Sequence, residues 1–280
     1  MSTNIFQFGK KTIIMGILNV TPDSFSDGGE YNSVEKAVNF AKQMVEDGAD
    51  IIDIGGESTR PGAVSVSLEE EMNRVVPVVE ELIGEINVPI SVDTYKSKVA
   101  KKVLGLGAHM INDITALRGD DNLPNIVADY NVPICLMHMK GTPKNMQKNP
   151  VYDDVVLEVK NFLKERAELA MSKGIKKENI IVDPGLGFGK RTGQGIEDNW
   201  IILNRLMELK DLGYPVLVGA SRKTFIGNTF GKEKPLPVKE RLEGSLAAAC
   251  VAVLHGVDIV RVHDVKETRR CLDLIDHIIR

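Results

Sequence analysis

Short apolar runs rich in isoleucine and valine recur along the chain, and polar segments separate them. Eight such runs occur, each nearly continuous rather than alternating: 11–20, 49–56, 88–94, 108–114, 132–138, 179–185, 214–221 and 258–264. Continuous apolar runs of this length are typical of strands buried on both faces, as in a parallel sheet. The pattern therefore predicts eight parallel strands.

The segments between these runs carry apolar residues at helical spacing. The first helix is predicted to begin at Ser33, whose side chain can cap it, and to end at Gly48. The second begins with Ser67 followed three residues later by Glu70, which predicts a capping box, and Pro77 should kink it. Further helices are expected near 95–106, 122–130, 151–173, 197–212, 237–255 and 265–279.

Strict alternation of strands and helices favours an α/β fold, a (β/α)₈ TIM barrel, for which about 250 residues is a typical length. We expect a single domain over 1–280 with a short N-terminal extension, 1–10. A doubly wound open sheet is the competing architecture. It is disfavoured because no G-x-G-x-x-G follows the first strand and no domain linker is visible.

Composition narrows the possible partners and location. The chain has 280 residues, 43% apolar and 26% charged, with a formal net charge of -4. This balance predicts no general attraction to nucleic acid or to an acidic membrane surface. No signal-peptide core or membrane span is visible, and the three cysteines form no C-x-x-C pair, so a cytoplasmic location is expected.

Polar residues gather where the predicted strands end. At or just after these ends stand Asn19, Asp93, Asn112, Asp113, His138, Asp183, Arg261, His263 and Asp264, together with the segments "GGESTRPG" and "SRKTFIG". The opposite ends carry Lys, Ala, Val, Pro and similar residues. Because barrel enzymes place their active sites at the C-terminal ends of the strands, this asymmetry predicts an active site there.

Two groups of side chains differ in chemistry. Asp93, Asn112 and Asp183 suit a flat heterocycle with an N–C–N donor edge, which a carboxylate can meet in a bidentate pair. The alternative is that they bond only to loop backbones. The second group, Arg60, Lys223, Arg261 and His263, predicts an anion such as a phosphate or diphosphate. Its alternative is a set of ion pairs with the nearby acids.

Metal binding is expected only through a substrate. The five histidines are scattered and contain no H-x-x-x-H pair, which argues against zinc. Magnesium bound through a diphosphate and one asparagine oxygen is compatible with the sequence, because Mg²⁺ keeps most of its waters. The segment "DPGLGFGK" (183–190) lacks the spacing of a phosphate-binding P-loop, so its glycines are interpreted as turn residues.

Several motifs in order along the chain resemble the dihydropteroate synthase family. They are "MGILNVTPDSFSDGG", "IIDIGGESTRPG", "ISVDTYK", "INDI", "LMHMKGTPKNMQ", "DPGLGFGK", "GASRKTFIG" and "RVHDVKE", between about 12 and 268. The resemblance implies a (β/α)₈ barrel, usually a homodimer. It also implies condensation of 6-hydroxymethyl-7,8-dihydropterin diphosphate with p-aminobenzoate, giving dihydropteroate and diphosphate in folate biosynthesis, with sulfonamides competing for the p-aminobenzoate site.

The same resemblance implies roles for individual residues. The pterin pocket would comprise Asp93, Asn112, Ile114, Met137, Asp183 and Lys223. Diphosphate would bind to Asn19, Thr59, Arg60, Arg261 and His263, with Asn19 also holding Mg²⁺. The p-aminobenzoate end would comprise Phe25, Pro61, Ser221 and Arg222. Asp27, Lys223 and Asp183 would act in catalysis.

In the polar segment "NVTPDSFSDGG" (19–29), Asn19 is expected to be fixed at the end of the first strand, and Thr21 to Gly29 are predicted to form a mobile lid. Gly28 and Gly29 supply backbone freedom, Phe25 offers one apolar surface to cover a ring, and Asp27 can stabilise a cationic intermediate. Closure would exclude water, which would otherwise convert the intermediate to an alcohol. The alternative is a connecting loop without a function.

One segment departs from the family pattern, and two other functions compete. The segment "GKRTGQGIEDNW" (189–200) is longer than expected, which leaves the roles of Arg191 and Glu197 open. A pterin-binding methyltransferase barrel acting with a corrinoid partner would lack "ESTRPG" and "SRK". A non-catalytic relative should have lost part of the diphosphate pocket or the first loop, and the sequence retains both.

Overall fold

The structure, a computed structural model, describes residues 5–21, 29–60, 62–192, 196–231 and 234–280. Eight parallel strands form one sheet in the order β6-β5-β4-β3-β2-β1-β8-β7. They are β1 (Ile13–Asn19), β2 (Ile51–Gly55), β3 (Ile90–Asp93), β4 (Met110–Asp113), β5 (Ile134–Met137), β6 (Ile180–Asp183), β7 (Leu217–Val218) and β8 (Ile259–Val262). All eight predicted strands are confirmed.

A bridge between the two edge strands closes the sheet into a barrel. Val182 of β6 pairs in parallel with Val216, immediately before β7, and its amide donates to the carbonyl of Pro215 at 3.0 Å. The sequence-predicted (β/α)₈ barrel is therefore confirmed, and the open doubly wound sheet is excluded. Closure leaves no unpaired edge among the described strands.

The helices lie around the barrel, and among the described residues they are α1 (Gly29–Glu46), α2 (Leu68–Leu82), α3 (Ser97–Leu106), α4 (Leu123–Tyr130), α5 (Val155–Ser172), α6 (Asp198–Asn204), α7 (Met207–Lys210), α8 (Thr224–Phe230), α9 (Leu242–Leu254) and α10 (Val265–Ile279). One helix expectation was wrong in detail, and one helix was missed. The segment 197–212 is divided into α6 and α7, and the short helix α8 was not expected.

The predicted helix ends are partly confirmed. The Ser67 hydroxyl accepts from the Glu70 amide at 3.1 Å, so Ser67 caps α2 as expected. Gly48, at φ +102°, ends the first helical segment. Ser33 does not cap α1, because the helix already begins at Gly29, four residues earlier. Pro77 lies inside α2, and the expected kink there stays a prediction.

Side chains of the strands alternate between two apolar environments. Ile52, Ile54 and Val92 pack outward in the large cluster shared with the helices, whereas Ile51 and Met110 pack in a smaller inner cluster. Phe6 joins that inner cluster near the N-terminal ends of the strands, with Phe8 packed against it. Apolar packing therefore fills one end of the barrel, and the other end is left for polar groups.

Candidate active site

The inward positions that follow the inner apolar cluster carry polar side chains. Asp53 pairs in register with Ser91, and Asp93 pairs in register with Asn112. Because parallel neighbours in register point to the same side of a sheet, these side chains share the barrel interior. Asp183 follows Ile181 by two positions on β6 and also faces inward. The strand geometry thus brings together the three acceptors predicted from the sequence.

Arg261 of β8 joins two carboxylates inside the barrel. Its Nε lies 2.6 Å from Asp53 Oδ2, and its terminal nitrogen lies 3.0 Å from Asp93 Oδ2. Asn112 Nδ2 also donates to Asp53 Oδ2, at 3.0 Å. The two groups drawn from the sequence are therefore connected, because Arg261, assigned to the anion, is paired with Asp93, assigned to the heterocycle.

Burial sets the charge state of this cluster. Burial raises the pKa of Asp93 to about 7, while the neighbouring Arg261 guanidinium acts in the opposite direction. Burial alone would lower the pKa of Arg261, but Asp53 and Asp93 outweigh it and the pKa is raised. Arg261 is therefore a permanent cation beside a carboxyl group that titrates near neutrality.

Asp183 and Lys223 occupy the opposite wall. The Gly185 amide donates to Asp183 Oδ1 at 2.7 Å, and burial raises the pKa of Asp183 to about 6. Lys223 Nζ lies 4.0 Å from the centre of the Phe188 ring. Burial, and then repulsion from Arg261, lowers the pKa of Lys223 to about 8. Both groups can change protonation state close to neutral pH.

The end of β8 and the turn after β7 are held together by hydrogen bonds. Ser221 Oγ lies 3.0 Å from His263 Nδ1 and also accepts from the His263 amide at 3.2 Å. Burial lowers the pKa of His263 to about 3, with Arg261 adding to the effect. His263 is therefore a neutral hydrogen-bonding group. Arg222 has a left-handed backbone, at φ +57°, and its guanidinium is paired with Asp264.

The loop after β2 is fixed at its base by a carboxylate. Glu57 Oε2 lies 2.5 Å from Lys96 Nζ, and Glu57 Oε1 accepts from the Tyr95 hydroxyl at 3.1 Å. Lys96 also pairs with the buried Glu71 of α2. Thr59 and Arg60 follow Glu57 along this loop and line the site. Glu57 thus attaches the start of this loop to the two residues that precede α3.

Apolar residues form the remaining wall. Ile114 and Met137, both predicted from the resemblance, belong to a compact cluster of buried residues. Its other members are Met139, Met146 and Phe188. This cluster offers flat, polarizable surface beside Asp183 and Lys223, as a ring-shaped ligand requires.

These walls enclose a cavity of about 1230 Å³ at the C-terminal ends of the strands. The strand-end residues Asp113, His138 and Asp264 do not line it, but every described residue to which the resemblance assigns a role does: Asn19, Thr59, Arg60, Asp93, Asn112, Ile114, Met137, Asp183, Ser221, Arg222, Lys223, Arg261 and His263. Phe25, Asp27 and Pro61 lie outside the described residues, and so does most of the segment expected to form a lid.

The long segment after β6 is closed by its own contacts. Arg191 makes a bidentate pair with the buried Asp198, including 2.9 Å between its terminal nitrogen and Oδ1. Thr192 Oγ1 lies 2.9 Å from a Glu197 carboxylate oxygen. The Arg191 guanidinium is therefore engaged within the segment, although the residue reaches the cavity wall.

Sequence reasoning missed three residues of this site. Asp53 is fully buried and holds Arg261, Glu57 holds the loop after β2, and Lys190 is buried beside the cavity. An aspartate between two isoleucines in the middle of the apolar run "ADIIDIGG" was an available indication of Asp53. Within the described ranges, no cluster of three or more His, Cys, Asp or Glu side chains could hold a metal ion. None of the described helices combines the length and apolar character that a membrane crossing requires.

Fold and cavity define a (β/α)₈ barrel enzyme that binds a flat, polar heterocycle and an anion, and comparisons with known proteins agree. The family described as "Pterin binding enzyme" matches residues 15–263. The dihydropteroate synthase of Clostridium beijerinckii is 46% identical over 276 residues, covering 98% of this chain and 97% of that protein.

Solved structures give the same result. Dihydropteroate synthase from Clostridium difficile, determined in the presence of pteroic acid, has 49% identity and a TM-score of 0.90, covering 98% of this chain and 99% of that one. The Xanthomonas albilineans enzyme with 4-aminobenzoic acid has 47% identity and a TM-score of 0.87, covering 96% and 93%. The chain belongs to the dihydropteroate synthase family, and as a member it is a transferase.

Proposed function

We propose that the cavity joins 6-hydroxymethyl-7,8-dihydropterin diphosphate to p-aminobenzoate and that the residues predicted from the sequence divide this task. The observation that carries the proposal is the convergence of Asp93, Asn112 and Asp183 from three strands on one cavity, with cations beside them. Pteroic acid, in whose presence the Clostridium difficile structure was determined, contains a pterin joined to p-aminobenzoate.

The pterin ring lies against the carboxylates and the apolar cluster. Asp93 and Asp183 accept from the ring's amino and N–H groups, and Asn112 offers both a donor and an acceptor. Ile114 and Met137 pack on the ring face. Asp53 does not touch the ring in this scheme, because its Oδ2 is occupied by Arg261 and Asn112.

The diphosphate lies toward Arg60 and His263, with Thr59 and Arg261 beside it. Arg60 and Arg261 neutralise charge, whereas His263 is neutral and contributes a hydrogen bond. Asn19, at the end of β1, offers a side-chain amide oxygen, which is a type of ligand that Mg²⁺ binds. The residues fit a magnesium ion that takes its other ligands from diphosphate and water, and such an ion would neutralise charge on the departing diphosphate.

The reaction needs positioned charges and no nucleophile from the protein. The bond from the pterin methylene carbon to the diphosphate oxygen breaks, and its electron pair leaves with the diphosphate. The remaining cation is delocalised into the ring, and the p-aminobenzoate nitrogen attacks the methylene and loses a proton. Asp183 and Lys223 lie beside the ring and stabilise the charge that develops on it. Asp27 is assigned the role of stabilising the cationic intermediate.

The p-aminobenzoate end is formed by Ser221 and Arg222, with Phe25 and Pro61 expected to complete it. Ser221 is fixed by His263 at 3.0 Å, and Arg222 by Asp264, so both sit on a rigid turn. The Arg222 amide donates to Ser245 Oγ at 2.9 Å, which holds the left-handed backbone in place.

The assembly is a homodimer in the cytoplasm under this proposal. Large apolar side chains are exposed on α9 and α10, including Leu254 at 51%, Leu274 at 64% and Ile278 at 68%. Exposed apolar surface of this kind is typical of a subunit interface. The three cysteines are free, which fits a reducing compartment. Sedimentation at micromolar concentration should give twice the monomer mass.

Calorimetry with two partial ligands tests the division of roles. The titrants are 6-hydroxymethylpterin and inorganic diphosphate with Mg²⁺. Asn112→Ala should weaken pterin binding and leave diphosphate binding nearly unchanged, and Arg60→Ala should do the reverse. Equal losses for both ligands in both variants would contradict separate pterin and diphosphate regions.

A further inference from the structure

Lys190 is among the largest fully buried side chains of the described protein, with 1% exposure. Its ammonium is surrounded by acceptors: the carbonyls of Pro184 and Gly185 at 2.9 Å, the carbonyl of Phe188 at 3.0 Å, and His138 Nδ1 at 3.0 Å. Burial lowers the pKa of His138 well below its usual value, so the ring is neutral and accepts at Nδ1. An environment made of acceptors requires a donor, and the protonated amine supplies three.

The loop around this ammonium is tightly packed. Gly185 and Gly189 have left-handed backbones, at φ +68° and +60°. A Cβ atom on Gly185 would lie 1.9 Å from the His138 carbonyl oxygen, and one on Gly189 would lie 2.4 Å from the Lys140 carbonyl oxygen. The chain can therefore turn its carbonyls toward Lys190 only where side chains are absent.

The same loop orients two groups assigned to the pterin ring. Its Gly185 amide holds Asp183 Oδ1 at 2.7 Å, and its Phe188 ring lies 4.0 Å from Lys223 Nζ. Lys190 binds the carbonyls of those two loop residues, Gly185 and Phe188. A single buried cation thus connects to both Asp183 and Lys223 through the loop backbone.

We propose that Lys190 is a positioning residue for the pterin reaction, a buried ammonium that folds the 184–188 loop so that Asp183 and Lys223 meet the ring correctly. It touches no substrate in this scheme. Its positive charge also favours the ionised form of Asp183, with Gly185, Lys223 and Arg261 acting in the same direction. The inference rests on the proposed roles of Asp183 and Lys223.

Other charged groups face the same region and are held constant in the test. Those acting on the Lys190 ammonium are Asp183, Asp198, Lys223 and Lys140, and burial dominates them in lowering its pKa to about 7. His138 is also influenced by Arg118. A substitution that removes only the Lys190 charge therefore leaves all of these other charged groups in place.

Lys190→Met tests the inference because methionine fills similar space without charge or donors. The probe is 6-hydroxymethylpterin, titrated by calorimetry at several pH values, with steady-state kinetics in parallel. Pterin binding should weaken about 10- to 100-fold, because small displacements of positioned groups have effects of this size. The KM for p-aminobenzoate should change less than about twofold, since one substrate alone is affected. The acid limb of pterin binding, the pH range in which affinity falls as the pH decreases, should move to higher pH. The reason is that loss of the Lys190 charge raises the pKa of Asp183.

Lys102→Met is the matched control. Its side chain is 48% exposed, its Nζ lies 3.6 Å from Glu80 Oε1, and it does not line the cavity. Pterin affinity and its pH dependence should match the wild-type protein. Lys190→Gln is a second neutral variant, smaller and able to donate, for use if the methionine variant does not fold.

The outcomes separate this inference from the proposed function. If wild-type protein does not bind 6-hydroxymethylpterin, the pterin assignment itself fails. If wild-type binds and a folded Lys190 variant binds equally well with an unshifted acid limb, only the positioning role fails. Equal losses for both substrates, or failure of both neutral variants to fold, would show a general structural role and overturn the inference.

Discussion

At the scale of single residues, the two carboxylates that share Arg261 have different tasks. Asp53 is fully buried, accepts from Asn112 as well, and its Oδ1 has no hydrogen-bond partner among the described atoms. Asp93 is 9% exposed and lines the cavity. Asp53 therefore fixes the guanidinium, and Asp93 is the one available to a ligand.

Asp93→Asn should weaken pterin binding by about 2–4 kcal/mol, because a charged acceptor is replaced and one amide hydrogen faces a ligand donor. This corresponds to roughly a 30- to 900-fold higher Kd for 6-hydroxymethylpterin, measured by calorimetry. Asp211→Asn, at a side chain 68% exposed, is the control and should bind normally. Wild-type affinity in the Asp93 variant would remove this residue from the pterin site.

Arg261→Ala should damage both binding regions and the fold. The resemblance assigns Arg261 to the diphosphate region alone, but its ion pairs at 2.6 and 3.0 Å connect it to the pterin region as well. A buried Asp53 without its cation should cost about 3–5 kcal/mol of unfolding free energy, measured in urea. Unchanged stability and pterin affinity, with loss of diphosphate binding alone, would show that these ion pairs contribute neither to stability nor to pterin binding.

The pH dependence of pterin binding follows from Asp93 and Asp183, whose pKa values are about 7 and about 6. Below these pH values the two carboxyl groups are protonated in the ligand-free site. They must release their protons before they can accept hydrogen bonds from the ring. Affinity should therefore fall as pH decreases through this range, and binding at about pH 6 should release protons. Calorimetry in two buffers of different ionisation enthalpy measures the release. Zero release, with constant affinity between about pH 5 and pH 7, would contradict the assignment.

At the scale of elements, continuous apolar runs predicted every strand because burial on both faces leaves a direct trace in sequence. The helices were harder. The short α8, "TFIGNTF", shows no apolar stripe, and the break between α6 and α7 contains no Pro or Gly. Asp53 was missed because it lies within a strand and not at its end, and Lys190 because only folding reveals the carbonyls around it.

The loop after β2 should be tested through its base. Glu57→Ala removes the partner of Lys96 and Tyr95 while leaving Thr59 and Arg60 intact. Pterin affinity should stay within about threefold of wild type, whereas turnover should fall about 10- to 100-fold through misplacement of the loop. Lys42→Ala removes an exposed pair with Glu85, at 2.7 Å, and is the control. Normal turnover in the Glu57 variant would show that the loop needs no such anchor.

At the scale of the whole molecule, the barrel separates stability from chemistry. Phe6 and the inner apolar cluster fill the N-terminal end, and the cavity occupies the C-terminal end. The general arrangement of the site was therefore predictable once the strands were assigned. The network among Asp53, Asp93 and Arg261 was not, because it depends on register between strands that are distant in sequence.

Phe6→Ala should destabilise the protein by about 3 kcal/mol, the usual cost of deleting a buried aromatic ring. Because Phe6 packs at the end away from the cavity, kcat and both KM values should stay within about twofold while the protein is folded. Urea unfolding and steady-state kinetics on one preparation measure both quantities. A large loss of kcat without loss of stability would mean that the two ends are coupled.

The most direct test of the account is a complete turnover experiment. Purified protein is incubated with 6-hydroxymethyl-7,8-dihydropterin diphosphate, p-aminobenzoate and Mg²⁺, and dihydropteroate and diphosphate are quantified together. The account predicts equal amounts of the two products, and only traces of product when Asp183→Asn or Lys223→Met replaces the wild-type protein. Absence of dihydropteroate from folded wild-type protein, or full activity in both variants, would contradict it.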